Sequence, residues 1–443
     1  MKDGVETKRP IPPSSLIHNL PAEVFDVILG FVRVDDEQTH ADKRSLFACS
    51  LVSRAWCSLA LRHVFHSMSL FVRTGHLYEL CVRKRCFLQD FLRSSLFPAV
   101  QHCIQRLTLR WGIADMDPII GEGLPQYLPL FPALRSLKLR GLLGKHIPAP
   151  LRQQPLTLDS LCIEGWVCHS RPHDPRVLCD LLRCFDSIGE LQLEDICKWL
   201  PTDGDTLSHD VHSRVSALVL RDSTCQHPVC DMLLAASAVE RPLRRLDMRA
   251  LSAMDARGGT DLLESFSHTI EDFKCTIFAG VGGASPSAPP FDFSTLPRLR
   301  TLTLALEIPL SRARRARSFA GGEDLARASP WYRALTSLRT LRTRQPAASL
   351  KLLTVQLAPS RQLNDKLETG VAFVDALRRS DAGVRMLETA LLDLVEARCV
   401  QLVQVGVYAA PPVSGLRDGC RHPCDGFVLE MFPGLRKAGV LRV

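Results

Sequence analysis

The sequence predicts an α/β protein: a small N-terminal helical unit followed by an irregular solenoid of strand–helix repeats. Three features of the 443-residue chain carry this expectation. Two apolar stretches near the N-terminus, LPAEVFDVILGFV (20–32) and LFACSLVSRAWCSLALRHVF (46–65), repeat their hydrophobic residues at helical spacing. From about residue 100 a short block of leucine, one residue, leucine recurs along the chain. Apolar helical stretches lie between the blocks.

Length and composition set the frame. A chain of this length holds about two to four domains or one long array. A hydrophobic fraction of 46% is ordinary for a globular protein and supplies a sizeable core. The formal net charge of +8 leans slightly towards an acidic partner and makes no case for nucleic acid. The sixteen cysteines sit in apolar segments such as Leu161-Cys162-Ile163 and Phe273-Lys274-Cys275, as small buried hydrophobes do. MKDGVETKRPIPPSS has no apolar core of a secretory signal, and no window approaches about eighteen uninterrupted apolar residues. Reduced thiols, a cytosolic or nuclear location and no membrane association are therefore expected.

Residues 1–15 are polar and proline-bearing and are expected to be a disordered lead-in. In the first helix Leu20, Val24, Val27, Ile28 and Phe31 share a stripe, with Pro21 and Glu23 in the first turn, where proline and acid suit a helix start. A charged linker, RVDDEQTHADKR (33–44), follows. In the second stretch Leu46, Cys49, Val52 or Ser53, Trp56 and Leu59 form another stripe, and Val64 to Leu70 reads as extended. Residues 16–70 thus form one small helical unit, and 71–443 the array.

The array rests on IQRLTLRW (104–111), LRSLKLRG (134–141), LDSLCIEG (158–165), IGELQLED (188–195), VSALVLRD (215–222), LRRLDMRA (243–250), IEDFKCTI (270–277) and LRTLTLAL (299–306). Their centres, Leu107, Leu137, Leu161, Leu191, Leu218, Leu246, Phe273 and Leu302, are 24 to 30 residues apart. Alternation within each block predicts a half-buried strand, and a period of this size predicts stacked repeats. RVLCDLLRCF (176–185) and CDMLLAASAV (230–239) are the intervening helices. SLKLLTVQLA (349–358) and CVQLVQVGVY (399–408) continue the strands, VAFVDALRRS and VRMLETALLDLVEAR the helices, and FPGLRKAGVLRV closes the array. GVGGASPSAPP, RARRAR and GGEDLARASP are loops. This pattern resembles leucine-rich repeats. Such repeats usually carry an asparagine or cysteine a few residues after the strand, but neither of the chain's two asparagines, Asn19 and Asn364, follows a strand block and the spacings are uneven, so the array is irregular. The alternative for the same blocks is an ordinary α/β domain.

The N-terminal unit resembles an F-box. The family opens with Leu-Pro, continues with Glu-Val/Ile and an Ile-Leu pair, and ends with Leu-x-x-Cys-x-x-Val-Cys/Ser-Lys/Arg-x-Trp. Here the matching residues are Leu20, Pro21, Glu23, Val24, Ile28, Leu29, Leu46, Cys49, Val52, Ser53, Arg54 and Trp56, in the family's order. The longer acidic loop, 33–45, resembles the fungal style of the domain. The resemblance covers about fifty-five residues and implies a partner: a Skp-family adaptor and, through it, a cullin–RING ubiquitin ligase. It implies adaptor contacts from Leu20, Pro21, Val24, Ile28, Leu29, Leu46, Cys49, Val52 and Trp56. Internal packing is the competing role, for Trp56 above all.

The array would then recruit an unknown protein target. Alternation turns Arg106, Thr108 and Arg110, Ser136, Lys138 and Arg140, Ser160, Cys162 and Glu164, Glu190, Gln192 and Glu194, and Arg245, Asp247 and Arg249 outward. Arg110, Lys138, Arg140, Glu164, Glu190, Glu194 and Arg249 are the candidate target contacts. A basic–acidic–basic succession suits a protein partner better than nucleic acid, which favours a continuous basic stripe. Ordinary solvated strand faces are the plain alternative.

No enzyme motif is found: no P-loop, no Gly-x-Gly-x-x-Gly after a strand, no Gly-x-Ser-x-Gly and no His-Glu-x-x-His. CQHPVC (Cys225, His227, Cys230) and CRHPC (Cys420, His422, Cys424) have metal-like residues but not the spacing of a zinc finger, so no metal or other cofactor is expected. RARRAR reads as a solvated loop rather than a nuclear address or an anion patch. The expected function is a non-catalytic substrate receptor of an SCF-type ligase. The alternative is an adaptor-binding structural or interaction protein outside a ligase.

Overall fold

The computed structural model of the chain describes residues 21–32, 43–72, 88–111, 124–141, 156–164, 175–194, 214–221, 243–250, 253–277, 291–308, 329–343, 350–359, 369–407 and 425–442. Its architecture is α/β. The chain divides into two compact units, Met1–Asp117 with Gln126–Leu139, and Pro118–Pro125 with Arg140–Val443.

The first unit begins with three helices: α1 (Ala22–Val32), α2 (Lys43–Ser50) and α3 (Arg54–Phe65). Pro21 lies just ahead of α1, and its carbonyl accepts from the Val24 and Phe25 N–H groups at 3.0 and 3.3 Å. Ser53 caps α3: its hydroxyl accepts from the Trp56 N–H at 3.3 Å, satisfying one of the helix's open donors. Leu29, Leu46, Ala60 and Val64 form the core, with Cys49, Leu59 and Phe65 packed against them. Lys43 secures the other end of α3, donating to the Val64 and Ser67 carbonyls at 3.0 and 2.8 Å. Burial holds its ammonium below the ordinary lysine range.

The extended run predicted from Val64 starts later. Helix α3 continues to Phe65 and β1 is Ser67–Val72, because Ala60 and Val64 supply a last helical turn to the core. Then follow α4 (Leu88–Arg93), α5 (Phe97–Val100), β2 (Arg106–Trp111), α6 (Leu124–Tyr127) and β3 (Ser136–Arg140). The strands lie in the order β1-β2-β3, with β1 and β2 parallel and Leu70 opposite Leu109. Edge-to-face contacts from Phe97 to Phe91 and to Phe131, at 5.4 and 5.7 Å, fill the space beside them.

The second unit carries β4 (Leu156–Glu164), β5 (Phe185–Glu194), β6 (Arg214–Arg221), β7 (Arg245–Ala250), β8 (Asp272–Ile277), β9 (Thr301–Ile308), β10 (Leu352–Pro359), β11 (Val403–Val407) and β12 (Leu441–Arg442). Each strand lies beside its neighbour in sequence, and these pairs are parallel. The block centres line up as one row: Leu161, Leu191, Leu218, Leu246, Phe273 and Leu302 are successive partners, continued by Leu353 and Val403. All are buried. A fully buried leucine contributes about 1.5–3 kcal/mol, so the row is the backbone of the fold's stability.

Helices α7 (Pro175–Leu182), α8 (Ala253–Ser265), α9 (Pro330–Thr340), α10 (Thr369–Arg379), α11 (Asp381–Glu396), α12 (Asp425–Met431) and α13 (Pro433–Lys437) connect strands of this unit. Helix α8 packs on β7 and α9 on both β9 and α11. The α9–α11 contact needs a glycine: a Cβ on Gly383 would lie 2.7 Å from the Trp331 ring. Glu388 of α11 holds the start of α13, its Oε1 accepting from the Gly434 and Leu435 N–H groups at 2.6 and 3.2 Å. Within the described residues no helix is long and apolar enough to cross a membrane.

The helix CDMLLAASAV, the loops GVGGASPSAPP and RARRAR, and both Cys/His stretches lie outside the described residues, as do 1–20.

Candidate functional site

Two surfaces hold the residues singled out in the sequence, one in each unit. The first is the outer face of the N-terminal helices. The i, i+4 pair Phe25 and Leu29 turns inward, and Phe25 meets Trp56 edge-on at 4.3 Å. The predicted stripe of Val24, Val27 and Ile28 faces out, at 40%, 59% and 44% exposure. Phe47, Leu51 and Val52, on and just after α2, are exposed as well, and so is Pro21. Apolar side chains cover α1 apart from the edge formed by Glu23, Asp26 and Gly30, so the core takes one apolar face and a second stays uncovered.

This divides the candidate adaptor contacts. Pro21, Val24, Ile28 and Val52 lie on the open surface. Cys49 and Trp56 are half-buried. Leu29 and Leu46 are corrected to internal residues: only 1% and 2% exposed, they are the core against which Ala60 and Val64 close. Leu20 lies outside the described residues. Val27, Phe47 and Leu51 were not among the candidates. Their signal was present, since each adjoins a stripe residue on a helix whose other face was already filled.

One polar contact ties α1 to α3. His63 Nε2 meets Asp26 Oδ1 at 2.8 Å, with His63 buried and Asp26 exposed, while His63 Nδ1 has no hydrogen-bond partner. It fixes the rotation of α1, and with it which apolar residues face out.

The second surface is the strand face opposite the leucine row. Arg140 grips Glu164 with two hydrogen bonds, Nε to Oε2 at 2.8 Å and Nη2 to Oε1 at 3.0 Å. Glu164 is opposite Glu194, which is opposite Arg221. Glu194 accepts from Arg221 at 3.1 Å and from the Gln192 amide. Asp247, buried on this face, lies 3.8 Å from Arg221 and 3.6 Å from Lys274. Arg245 reaches over β6 to Glu190 at 3.3 Å, passing above the small Ala217, which is the register partner of both.

Four cations (Arg140, Arg221, Arg245, Lys274) and four carboxylates (Glu164, Glu190, Glu194, Asp247) thus neutralise one another along β3 to β8. The candidate target contacts Arg140, Glu164, Glu190 and Glu194 are all engaged in these ion pairs, since strands about 4.8 Å apart bring opposite charges within reach of each other. Arg110 and Lys138 lie half-buried on β2 and β3. Arg249 lies on β7, its side chain outside the described ones. Cys162 lies on this face as alternation predicts, and is buried there.

The ligand atoms of Cys162, Glu164 and Glu194 lie within 4.8 Å of one another. Both carboxylates are engaged by arginines, and a tetrahedral zinc site needs four ligands, so this trio is part of the charge ladder. Three of the described thiols are held in their protonated form. Burial, then the Asp180 carboxylate, pushes the Cys184 thiol up to about 12. Burial, then Asp247, raises Cys275 as well, against the Arg333 charge. Burial raises Cys103 despite Arg62. These groups stay protonated thiols at neutral pH and are poor nucleophiles. A groove between α9 and α11 is walled by Leu335, Leu338 and Met386 and rimmed by Arg339, Arg342 and Asp393.

Compared with known proteins, the chain matches no family model, no curated protein and no solved structure.

Proposed function

We propose that the chain is a non-catalytic substrate receptor of an SCF-type cullin–RING ubiquitin ligase. Its N-terminal helices act as an F-box that docks on a Skp-family adaptor, and its strand unit is an irregular leucine-rich-repeat-like solenoid that recruits a protein target. The observation that carries this reading is the open apolar face of α1, Val24, Val27 and Ile28, behind Pro21 and beside a helix pair whose own core is already complete. Exposed apolar surface on a helix is held in place by a partner's groove. Parallel strands in chain order, with a leucine row every 24 to 30 residues, support the repeat reading. The mechanism is proximity: one end fixes the chain to the ligase and the other holds the target near the charged ubiquitin carrier.

The test is co-expression of the full chain with a Skp-family adaptor, followed by size exclusion. The wild-type chain co-elutes, and Ile28→Asp with Pro21→Ala abolishes co-elution while circular dichroism is unchanged. A chain that never co-elutes, or a double variant that still does, ends the docking reading. Cullin added to the adaptor complex joins the same peak; a complex that excludes cullin instead makes this an adaptor-binding protein outside a ligase.

A further inference from the structure

We infer that the groove between α9 and α11 is an interaction surface, and that the partner it fits is an amphipathic helix with apolar side chains at one end of a two-turn stripe and a carboxylate at the other. Naming that partner the recruited target rests on the receptor reading above. The groove itself is separate from the charge ladder of the strand face.

The two helices run side by side in the same direction. Trp331, at the start of α9, lies over Gly383, near the start of α11. Arg342, just past the end of α9, lies 3.8 Å from Asp393, near the end of α11. Between these contacts each helix lines the groove with residues at i, i+4 and i+7: Leu335, Arg339 and Arg342 on one side, Met386, Ala390 and Asp393 on the other. Each set spans two turns, about 10 Å. The groove has a volume of about 410 Å³, within the range of binding clefts. A cleft of this length walled by two helices is the shape that a third, amphipathic helix fills.

The two ends of the groove differ in chemistry, and that difference selects the occupant. At the first end Met386 is exposed, and so is Tyr332, one turn before Leu335 on α9. Large apolar side chains left in water mark a surface for apolar contact. At the far end stand two guanidinium groups and one carboxylate. Asp393 faces Arg342. Arg339 is exposed and has no side-chain partner among the described residues, and α9 contains no acidic residue. Two nearby carboxylates of α11 are taken elsewhere: Asp381 pairs with Arg385, and Glu388 accepts from the start of α13. One positive charge is thus left over beside an apolar floor. A basic occupant is repelled there, an uncharged one leaves the surplus in place, and a carboxylate neutralises it. A partner helix with apolar residues at i and i+4 and an acid at i+7 repeats the spacing of both walls.

The experiment uses the full chain co-expressed with the adaptor. The probes are three pools of capped helical peptides of about fifteen residues. Each has randomised apolar residues at i and i+4; at i+7 the pools carry an acid, a basic residue, or glutamine and serine. Binders are expected from the acidic pool. The best of them loses affinity at least about tenfold against Met386→Glu, as a central contact does. Arg339→Glu lowers it about fivefold, and lysine in place of the peptide's acid restores binding to that variant. Met386 and Arg339 are both exposed, so the two variants keep the wild-type melting temperature. Binders confined to the basic or uncharged pools, no binder from any pool, or affinity indifferent to either variant overturns the inference. So does a lower melting temperature of Met386→Glu, which means this chain covers the groove itself, or a dimer that this variant disperses, which means a second copy does. Adaptor co-elution on the same preparations separates the two failures: its loss in the wild-type chain ends the docking reading, and its retention without acidic binders ends this one alone.

Discussion

The helical unit and the strand unit use apolar residues in opposite ways. In the strands nearly every leucine of the repeated blocks is consumed by the unit's own core, from Leu161 on β4 to Leu353 on β10. In α1 the core takes Phe25 and Leu29 and leaves Val24, Val27 and Ile28 uncovered. Polar groups show the reverse bias. The strand face pairs its charges along its length from Arg140 to Lys274, whereas among the described residues α1 contributes the Asp26–His63 bridge. A strand's period of two leaves no surplus when one face is a core and the other is polar. A helix that is apolar on more than one face has a surplus by construction. That surplus distinguishes a unit whose apolar surface is used up from one that leaves part of it uncovered.

The sharpest way to break the comparison is to open a cavity in the leucine row. Leu191→Ala, at a fully buried site with partners on both sides, lowers unfolding stability by about 2–5 kcal/mol, read from urea denaturation. A loss below about 1 kcal/mol means the row is not the continuous core described.

A pH titration probes the same unit. The folded Cys184 thiol, at about 12, stands above its ordinary 9.0. A raised acid contributes stability that is complete below the unfolded pKa and is lost as pH climbs through the folded one. The unfolding free energy, read from urea denaturation, therefore falls between about pH 9 and 12 by an amount on the order of 4 kcal/mol, and Cys184→Ala flattens that fall. An equal slope in the variant assigns the alkaline loss to other groups.

These elements differ in how far the sequence reveals them. All eight leucine blocks became strands, and the six centres from Leu161 to Leu302 share one row, because alternation and period are local properties of the chain. The strands at 349–358 and 399–408, and the helices α7, α10 and α11, were legible for the same reason. The orientation of α1 was not: Val24, Val27 and Ile28 are as good a stripe as Phe25 and Leu29, and tertiary contacts, Phe25 with Trp56 across thirty-one positions of chain and Asp26 with His63, choose between them. Nor were the ion pairs. Arg245 finds Glu190 two strands away because Ala217 is small, and that requires the register of three strands.

A smaller effect tests the charge ladder. Arg140→Ala removes both hydrogen bonds from Glu164 and leaves it facing Glu194, at sites less than a third exposed. The expected cost is about 1 kcal/mol, and it is partly restored by Glu164→Gln in the same chain. If both single variants and the pair are neutral, the ladder is decoration and its residues return to the list of candidate target contacts.

The smallest expected stability effect carries the most about function. Val24→Ser with Ile28→Ser changes residues that already meet solvent, so unfolding stability shifts by less than about 0.5 kcal/mol. Leu29→Ala, one residue along the same helix and fully inside the core, costs about 2–5 kcal/mol. The contrast isolates the uncovered face from the covered one within a single turn of helix. If the double serine variant destabilises the free chain as much as Leu29→Ala does, those valine and isoleucine side chains are packed against this chain itself, and the surplus that points to a partner does not exist. If it leaves stability unchanged and lowers affinity for the adaptor, the apolar residues on that face serve the complex rather than the fold.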